Sequence, residues 1–401
     1  MIKFSSHSSK GLLPQEEKLE LKKQSKSLFI GIPKEISFQE NRVAIVPDAV
    51  QLLVSHGHEV IIESQAGEGA NFSDVEFSEA GAKIVYAAKE VYQADIVLKV
   101  EPPTIDEIDM MKGRQTLIST LQITTRNKDF IKKLTEKKIN CIAYEFIQDE
   151  NGMMPFIRSM SEIAGNAAVL IASECLSNVN EGKGLLLGGI SGVTPTEVVI
   201  IGAGTVGEFS ARSALGLGAS VKVFDNSLSK LRRLQNDINT RVFTSIIQPK
   251  VLTKALIRAD VVIGALRSND QRTPCVVSEQ MVEMMKQGAV IVDVSIDQGG
   301  CFETSKLTSH TSPTFVKHGV IHYCVPNILS RVARTGSYSL SNLLTPILLN
   351  IGDFGGLDAV ISSDAGLRKG IYICRGILTN KMVGEWFNLS YKEIDLIIAS
   401  I

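Results

Sequence analysis

A glycine-rich segment in the middle of the chain has the composition of a phosphate-binding turn. An apolar run, Val198 to Ile201, leads into Gly202-Ala-Gly-Thr-Val-Gly207, and a second apolar run ends at Asp225. Between a strand and a helix, Gly202 permits the tight turn, Gly204 lets the backbone approach a pyrophosphate, and Gly207 lets the helix pack closely. The helix N-terminus then offers N–H groups and a positive dipole. The pattern predicts a dinucleotide site.

The acidic residue that follows the glycines sets the expected cofactor. Asp225 comes about twenty residues after them, where a carboxylate can accept hydrogen bonds from a ribose diol and repel a 2′-phosphate. Lys230, Arg232 and Arg233 lie close enough in sequence to oppose that preference. A glycine-rich turn without a ligand is the structural alternative. We predict NAD as the cofactor, held by Gly202, Gly204, Thr205, Val206, Gly207 and Asp225.

Composition indicates a globular protein of more than one domain. The 401 residues exceed the usual size of a single domain, and the hydrophobic fraction of 44% and charged fraction of 21% are ordinary. A formal net charge of -1 gives no electrostatic reason to expect nucleic acid or a membrane surface as a partner. The N-terminus lacks the apolar core of a signal peptide, and no apolar run reaches membrane-spanning length.

The six cysteines are scattered without the spacing of a metal finger. Most of them lie in apolar runs, where a buried free thiol is the usual state. We therefore expect no metal site and a cytoplasmic location.

Short β-branched runs alternate with amphipathic segments through most of the chain. Strands alternating with helical crossovers predict an α/β fold with two doubly wound parallel-sheet, Rossmann-like domains and a cleft between them. Ser159 and Glu162 have the spacing of a capping box and predict the start of a buried helix that ends at Leu176. A second apolar helix is expected from Ser337 to Ile351. The predicted domains are a flexible extension, 1–27, a catalytic domain, 28–155 plus 335–401, and a Rossmann domain that binds NAD, 156–334.

Several longer stretches occur in the same order as in one known family. They include GIPKEISFQENRVAIVP, ADIVLKV, MSEIAG, GKGLLLGG, VIVDVSIDQGGCFE and RTGSYSLSN. Together with the glycine motif, they make the chain resemble the alanine dehydrogenase family, whose domains are shared with the NAD-binding subunit of proton-translocating transhydrogenase. The resemblance covers about Phe29 to the late 380s. It implies an NAD-dependent amino-acid dehydrogenase that assembles as a homohexamer.

The resemblance also assigns two residues to the substrate. Arg42 matches the arginine that grips the substrate carboxylate, and a planar guanidinium suits two oxygens. Asp297 matches the active-site aspartate at the carboxyl edge of the NAD-binding sheet. The structural alternatives are a surface arginine and a loop aspartate that caps backbone N–H groups.

Two positions depart from the family pattern. Glu101, in LKVEPP, stands where the family has a catalytic lysine, and Gln122, in TLQIT, stands where it has a catalytic histidine. Glutamine can donate and accept hydrogen bonds but cannot act as an acid or base near neutral pH. Glu101 could accept a proton, hold the substrate ammonium group or restrain Arg42.

Three functions stay open on the sequence. The first is a divergent alanine dehydrogenase in which Asp297, Glu101 and water handle protons while Gln122 positions the substrate. The second is a dehydrogenase of another amino or 2-oxo acid, because an anion beside Arg42 changes the charge pattern that the pocket accepts. The third is an NAD(H)-binding module without deaminase activity, either transhydrogenase-like or regulatory.

Four further residues are placed near the cofactor by the resemblance. Ser161, Leu266 and Asn327 are expected on the nicotinamide side, and Lys230 near the adenosine. The structural alternatives are a helix cap for Ser161, a core position for Leu266 and a turn for Asn327.

Overall fold

The structure is a computed structural model and describes residues 25–267 and 273–399. Within these residues the strands form two sheets, one of eight strands in the order β15-β14-β6-β5-β4-β1-β2-β3 and one of seven in the order β12-β13-β11-β10-β7-β8-β9. We call the halves built on them the first lobe and the second lobe. The first sheet consists of β1 Phe29–Ile32, β2 Glu59–Glu63, β3 Lys83–Val85, β4 Ile96–Leu98, β5 Thr116–Ser119, β6 Asn140–Ala143, β14 Ile371–Cys374 and β15 Ile377–Leu378. The second consists of β7 Glu197–Ile201, β8 Ser220–Phe224, β9 Phe243–Ser245, β10 Val261–Gly264, β11 Val290–Asp293, β12 Thr314–Lys317 and β13 Val320–Tyr323.

Helices cover the sheets, as parallel strands require crossovers. They are α1 Pro47–Ser55, α2 Asp74–Glu79, α3 Ala88–Val91, α4 Ile105–Met110, α5 Lys128–Glu136, α6 Pro155–Leu176, α7 Thr205–Gly216, α8 Leu228–Ile238, α9 Pro249–Arg258, α10 Glu279–Glu283, α11 Ala333–Asp353, α12 Leu357–Ser363, α13 Ala365–Gly370, α14 Lys381–Phe387 and α15 Ile394–Ile398.

The predicted α/β class with two mainly parallel sheets is confirmed. In the first sheet β1 to β6 pair in parallel, and β14 adds to β6 in the antiparallel direction. In the second sheet β12 is the antiparallel edge strand beside β13. These antiparallel strands were not predicted. They extend edges of sheets whose central strands are parallel.

The helix α6 connects the two lobes. Phe156 near its beginning packs in the core of the first lobe, whereas the stretch from Ala164 to Leu176 packs in the core of the second. Gly165 makes a close approach to α7 possible, because a Cβ at this position would lie 2.5 Å from the carbonyl oxygen of Val206.

The predicted capping box at the start of this helix is wrong. α6 begins at Pro155, where proline at the first position needs no N–H partner, so Ser159 lies inside the helix. The Ser159 hydroxyl instead bonds to the hydroxyl of Ser339 on α11, and Glu162 accepts a hydrogen bond from Arg158. α11 likewise begins at Ala333, four residues before the predicted Ser337.

Residues 1–24 of the predicted N-terminal extension lie outside the described residues. The next residues are tied to the first lobe, because the Lys26 N–H donates to the carbonyl of Gly352 at 2.8 Å and the Ser27 hydroxyl donates to that of Gly57 at 2.6 Å.

No single helix in the described part of the chain is long and apolar enough to cross a membrane. One pair bent by 106°, Ile328–Asp353 with Leu357–Ser363, meets the criteria of length and composition.

Candidate functional site

The glycine-rich turn lies between β7 and α7 and has the geometry of a phosphate cradle. Gly202 has φ +118°, and a Cβ there would lie 2.4 Å from the carbonyl oxygen of Ala265. A Cβ on Gly207 would lie 1.9 Å from the carbonyl oxygen of Gly202, whereas one on Gly204 would meet no atom of the described residues within 4 Å. Two glycines are therefore required by packing, and Gly204 opens onto free space at the N-terminus of α7. This arrangement fits a pyrophosphate, with Thr205 and Val206 supplying the first helical N–H groups.

Asp225 braces this turn at the carboxyl end of β8. Its side chain is buried, and its two carboxylate oxygens accept from the N–H groups of Ala203 and Ser227, each at 2.7 Å. Each oxygen keeps a further lone pair for a ribose hydroxyl. The bond to Ala203 is a structural role that the spacing alone did not reveal. Arg233 also reaches the turn, with Nη2 donating to the carbonyl of Ala203 at 3.2 Å.

Arg42 is a buried arginine that is already paired. Glu40 accepts from Arg42 Nε at 2.8 Å and from Nη2 at 2.6 Å, and Nη1 contacts the sulfur of Met160 at 3.6 Å. Burial alone would lower the pKa of the guanidinium, but Glu40 reverses this effect and the pKa is raised. The alternative of an ordinary surface arginine is therefore wrong.

Glu101 and Gln122 lie beside this guanidinium. Glu101 Oε1 is 3.8 Å from Arg42 Nη2, and the side-chain amide of Gln122 donates to Glu101 Oε2 at 2.5 Å. The structure thus brings together the three candidate residues of the first lobe. Burial and the nearby Glu40 carboxylate raise the pKa of Glu101. Arg42, Gln122 and Arg126 lower it, but the net effect is an increase.

Gln122 has a left-handed backbone, with φ 46° and ψ 56°, which is uncommon for a residue other than glycine. The turn is held by Glu145, whose Oε1 accepts from the N–H groups of Leu121 at 2.7 Å and Gln122 at 3.4 Å. Burial raises the pKa of Glu145 to about 7, and its Oε2 has no hydrogen-bond partner among the described residues. No motif or spacing in the sequence marks Glu145 as part of this site.

Serines near and along α11 hold the segment that carries Arg42. The hydroxyls of Ser330, Ser337 and Ser341 accept from the N–H groups of Asn41, Val43 and Val46. Ser337 and Ser341 are four residues apart and therefore share one face of the helix. Their spacing in RTGSYSLSN was a signal that could have indicated this contact.

Gly336 makes room for the arginine on the same helix. A Cβ at this position would lie 2.9 Å from Arg42 Cδ. The close approach places the Arg42 side chain directly on α11.

A network of buried charges supports the loop before Glu101. Lys99 Nζ lies 3.0 Å from Glu35 Oε2 and 2.9 Å from Glu107 Oε1, and the N–H of Val100 donates to Glu35 Oε1 at 2.6 Å. These contacts fix the backbone from which Glu101 extends.

Asp297 lies on the second lobe, in the 3-10 helix Val294–Gln298 that follows β11. The Asp297 side chain is exposed to water, but the protein around it displaces part of its solvent, and this desolvation raises its pKa. The positive charge of Arg267 opposes the increase. Among the described residues it forms no hydrogen bond or ion pair with Arg42, Glu101 or Gln122. The structure therefore does not bring Asp297 into direct contact with the cluster on the first lobe.

The other candidate cofactor residues occupy different environments. Asn327 follows β13, and its side-chain amide donates to Glu40 Oε2 at 3.0 Å. Leu266 is half-buried against the core beside Val199 and Ile201, and Lys230 is exposed in the first turn of α8. Ser161 is half-buried inside α6, so the alternative of a helix cap is wrong.

A cavity of about 250 Å³ opens beside Arg42 and Glu40. Charged side chains dominate its wall, which consists of Lys34, Glu35, Glu40, Asn41, Arg42, Gln65, Ala66, Glu68 and Gly69. The volume is below the roughly 300–1,000 Å³ of pockets for drug-sized ligands, so the cavity suits a small polar molecule.

Known sequences and structures resemble both lobes. Residues 31–164 match the family described as alanine dehydrogenase/PNT, N-terminal domain, and residues 168–381 match alanine dehydrogenase/PNT, C-terminal domain. The alanine dehydrogenase of Halomonas elongata is 40% identical over 365 residues, which are 91% of this chain and 98% of that protein.

Solved structures show the same arrangement. An L-alanine dehydrogenase superimposes with a TM-score of 0.83 at 38% identity, covering 90% of this chain and 99% of the other. A transhydrogenase from Sinorhizobium meliloti superimposes with a TM-score of 0.76 at 22% identity, covering 88% and 99%, and shows a shared fold. Because the two family matches and the relative at 40% identity span both lobes, the chain belongs to the alanine dehydrogenase/PNT family.

Proposed function

We propose that this chain is an NAD-dependent dehydrogenase acting on CH–NH2 donors, which converts L-alanine, NAD⁺ and water into pyruvate, ammonium, NADH and a proton. The observation that carries the proposal is the convergence of Arg42, Glu101 and Gln122 where the first lobe meets Asn327 of the second. When bound, NAD supplies the ring that accepts a hydride from the substrate Cα. The protein must hold the substrate and manage its protons.

Arg42 is proposed to bind the substrate carboxylate. Glu40 already occupies Nε and one N–H of Nη2, so the edge formed by Nη1 and the other N–H of Nη2 remains for two carboxylate oxygens.

Glu101 and Asp297 are proposed to handle protons. Oxidation of the amine and addition of water to the imine both release protons, and a carboxylate with a raised pKa is a better acceptor near neutral pH than an ordinary one. Glu101 lies at the carboxylate-binding edge of Arg42, and Asp297 lies on the lobe that carries the glycine turn. Gln122 orients Glu101 through its amide but does not transfer a proton.

The cofactor is proposed to lie on the glycine turn with its ribose diol at Asp225. In this arrangement Ser161, Leu266 and Asn327 line the nicotinamide side and Lys230 lies near the adenosine. The open space above Gly204 and the acceptor oxygens of Asp225 support the placement.

The test is a hydride-transfer assay with L-alanine and NAD, followed by a panel of other amino acids and 2-oxo acids. Formation of NADH with alanine is expected, with NADP giving a much lower rate. If NAD binds but no member of the panel is oxidised or reduced, the chain is a binding module and the enzymatic proposal is wrong.

A second candidate is a dehydrogenase of another amino or 2-oxo acid. It is favoured by Glu101, an anion 3.8 Å from the guanidinium, which would attract an additional cationic group on a substrate. Turnover of such a substrate without turnover of alanine would support this candidate over the first.

The chain is also proposed to form a homohexamer in the cytoplasm. The segment between α6 and β7 exposes apolar side chains, with Val179 89%, Leu186 67%, Ile190 62% and Val193 59% accessible. A concentration of exposed apolar residues is typical of an interaction surface. Five buried cysteines are free thiols, which supports a reducing compartment.

A further inference from the structure

Glu40 makes contacts with both lobes from a fully enclosed position. The side chain has no accessible surface, and its two oxygens accept four hydrogen bonds. Three come from Arg42, through its backbone N–H, Nε and Nη2, and the fourth comes from the Asn327 side-chain amide at 3.0 Å. Burial alone would raise the pKa of Glu40, but its bonds with Arg42 and Asn327 lower it overall, so the carboxylate is held ionised.

The neighbours of Glu40 also bond to the second lobe. Gln39 Oε1 accepts from the N–H of His310 at 2.8 Å, and the ring Nε2 of His310 bonds to the carbonyl of Asn327 at 2.7 Å. The N–H of Asn41 donates to the hydroxyl of Ser330 at 2.7 Å. We call the residues 39–41 the seam, because three consecutive residues of the first lobe bond to the segment that follows β13 and to His310.

The seam makes the orientation of Arg42 depend on the position of the second lobe. Glu40 fixes two edges of the guanidinium, while Asn327 fixes Glu40 from across the interface. A shift of the second lobe that withdrew Asn327 would leave the buried Glu40 carboxylate with one fewer hydrogen-bond donor. Glu40 and Arg42 would then be free to rotate together.

We propose that Glu40 is a positioning residue that couples the placement of the second lobe to the orientation of Arg42, so that a dinucleotide on the second lobe and a carboxylate at Arg42 strengthen each other's binding. The inference deepens the proposed function, because it assigns a role in substrate binding to a residue outside the reacting groups. By linkage, each ligand must raise the affinity of the other by the same factor.

The experiment measures, in the full-length chain, the factor by which each ligand raises the affinity of the other. NADH binding is titrated with and without saturating oxalate, and oxalate binding with and without saturating NADH. Oxalate is a suitable probe because its carboxylates can bind the Arg42 guanidinium, and because it has no amino group and no hydride to transfer. We expect NADH and oxalate to strengthen each other in the natural protein, and the factor to fall about tenfold in Glu40→Gln, within the range common for such couplings. NADH affinity without oxalate should change little.

Two further variants keep the result interpretable. Gln39→Ala removes one bond to His310 without touching Arg42, should fold normally and should lose part of the coupling. Glu197→Gln removes the ion pair with Lys222 at the amino end of β7, away from the seam, from Arg42 and from the glycine turn, and should lower the melting temperature slightly while leaving the coupling factor unchanged.

The outcomes separate the two proposals. If the natural protein shows no coupling, or if both seam variants keep the full factor, Glu40 has only a structural role and the inference is wrong. If coupling depends on Glu40 but alanine is not oxidised, the inference stands and the proposed function fails.

Discussion

Arg42 is held along one edge by a carboxylate of its own protein, and this decides how it can grip a ligand. Glu40 takes Nε and part of Nη2, so a substrate carboxylate has to approach the opposite edge, where Glu101 lies 3.8 Å away. The incoming carboxylate therefore meets a cation that is partly neutralised. The protonation state of Glu101 should control how strongly that edge attracts it.

Replacing Arg42 tests the carboxylate site. Arg42→Lys keeps the charge opposite Glu40 but loses the planar fork, so we expect kcat/KM for alanine to fall about 100-fold. The dissociation constant of NADH, measured by fluorescence titration, should stay within about twofold because Arg42 is not on the glycine turn. Arg42→Ala should abolish turnover, but it also leaves Glu40 uncompensated, so its melting temperature must be measured alongside. Loss of NADH binding in Arg42→Lys would show that Arg42 contributes to the cofactor site and not only to the substrate site.

Glu101 should give the reaction a pH dependence. As the proposed base, it must be ionised, and its pKa is raised by burial and by Glu40. kcat/KM for alanine oxidation should therefore increase with pH through the pKa of Glu101, which lies above its ordinary value.

In Glu101→Gln this acid limb should disappear and the rate should fall about 100-fold, the lower end of general-base effects. Arg42, Glu40, Arg126, Tyr144 and Glu145 also face this group, and Glu145 itself has a pKa of about 7. Glu145→Gln is therefore the control. If the limb vanishes in Glu145→Gln but persists in Glu101→Gln, the base has been misassigned.

At the scale of elements, α11 acts as the support against which the Arg42 segment lies. Ser337 and Ser341 accept N–H groups of that segment, and Gly336 leaves the space that the arginine side chain fills. The helix therefore fixes the position and the direction of the Arg42 guanidinium, although it contributes no charged group to the site.

Gly336→Ala tests this support. The new Cβ would lie 2.9 Å from Arg42 Cδ, so the arginine must shift away from its position. Helix propensity alone would stabilise the variant by roughly 1 kcal/mol, so lost activity would not reflect a weakened helix. We expect KM for alanine to rise about tenfold with little change in NADH affinity, because orientation at Arg42 is disturbed. Gly216→Ala on α7 is the matched control, because a Cβ there meets no atom within 4 Å in the part of the chain that the structure describes, and it should behave as the natural protein. Unchanged KM in Gly336→Ala would mean that Arg42 tolerates displacement.

At the scale of the whole molecule, two lobes are held together by α6, α11 and the seam of residues 39–41. Each lobe carries half of the proposed chemistry, with the carboxylate-binding cluster on the first and the glycine turn on the second. Asp297 makes no hydrogen bond or ion pair with that cluster among the described residues, so its part in the reaction rests on the proposal above.

The exposed apolar segment before β7 predicts assembly. We expect the natural protein to sediment as a hexamer and Leu186→Asp to sediment as a smaller species, because an ionised side chain would have to be desolvated at the interface. Val75→Asp changes a comparably exposed residue of the first lobe and should leave the mass unchanged. A monomeric natural protein, or an unaffected Leu186→Asp variant, would contradict this assignment.

The sequence alone determined the parts that depend on local patterns. Short β-branched runs that alternate with amphipathic segments predicted the two mainly parallel sheets. The glycine spacing predicted the turn at Gly202 and the acidic residue Asp225 after the next strand, because both patterns follow from steric limits on neighbouring residues. The capping box at Ser159 failed because the helix already begins at Pro155, which leaves Ser159 in its interior.

Only the tertiary structure decided which distant residues meet. Glu40 is two residues from Arg42, yet its fourth hydrogen bond comes from Asn327, and Glu101 reaches Gln122 only because β4 and β5 are adjacent in the sheet. The antiparallel addition of β14 to β6 likewise joins segments more than two hundred residues apart. Such pairings depend on the closing of long loops and on the satisfaction of buried polar groups, and neither leaves a local pattern in the chain.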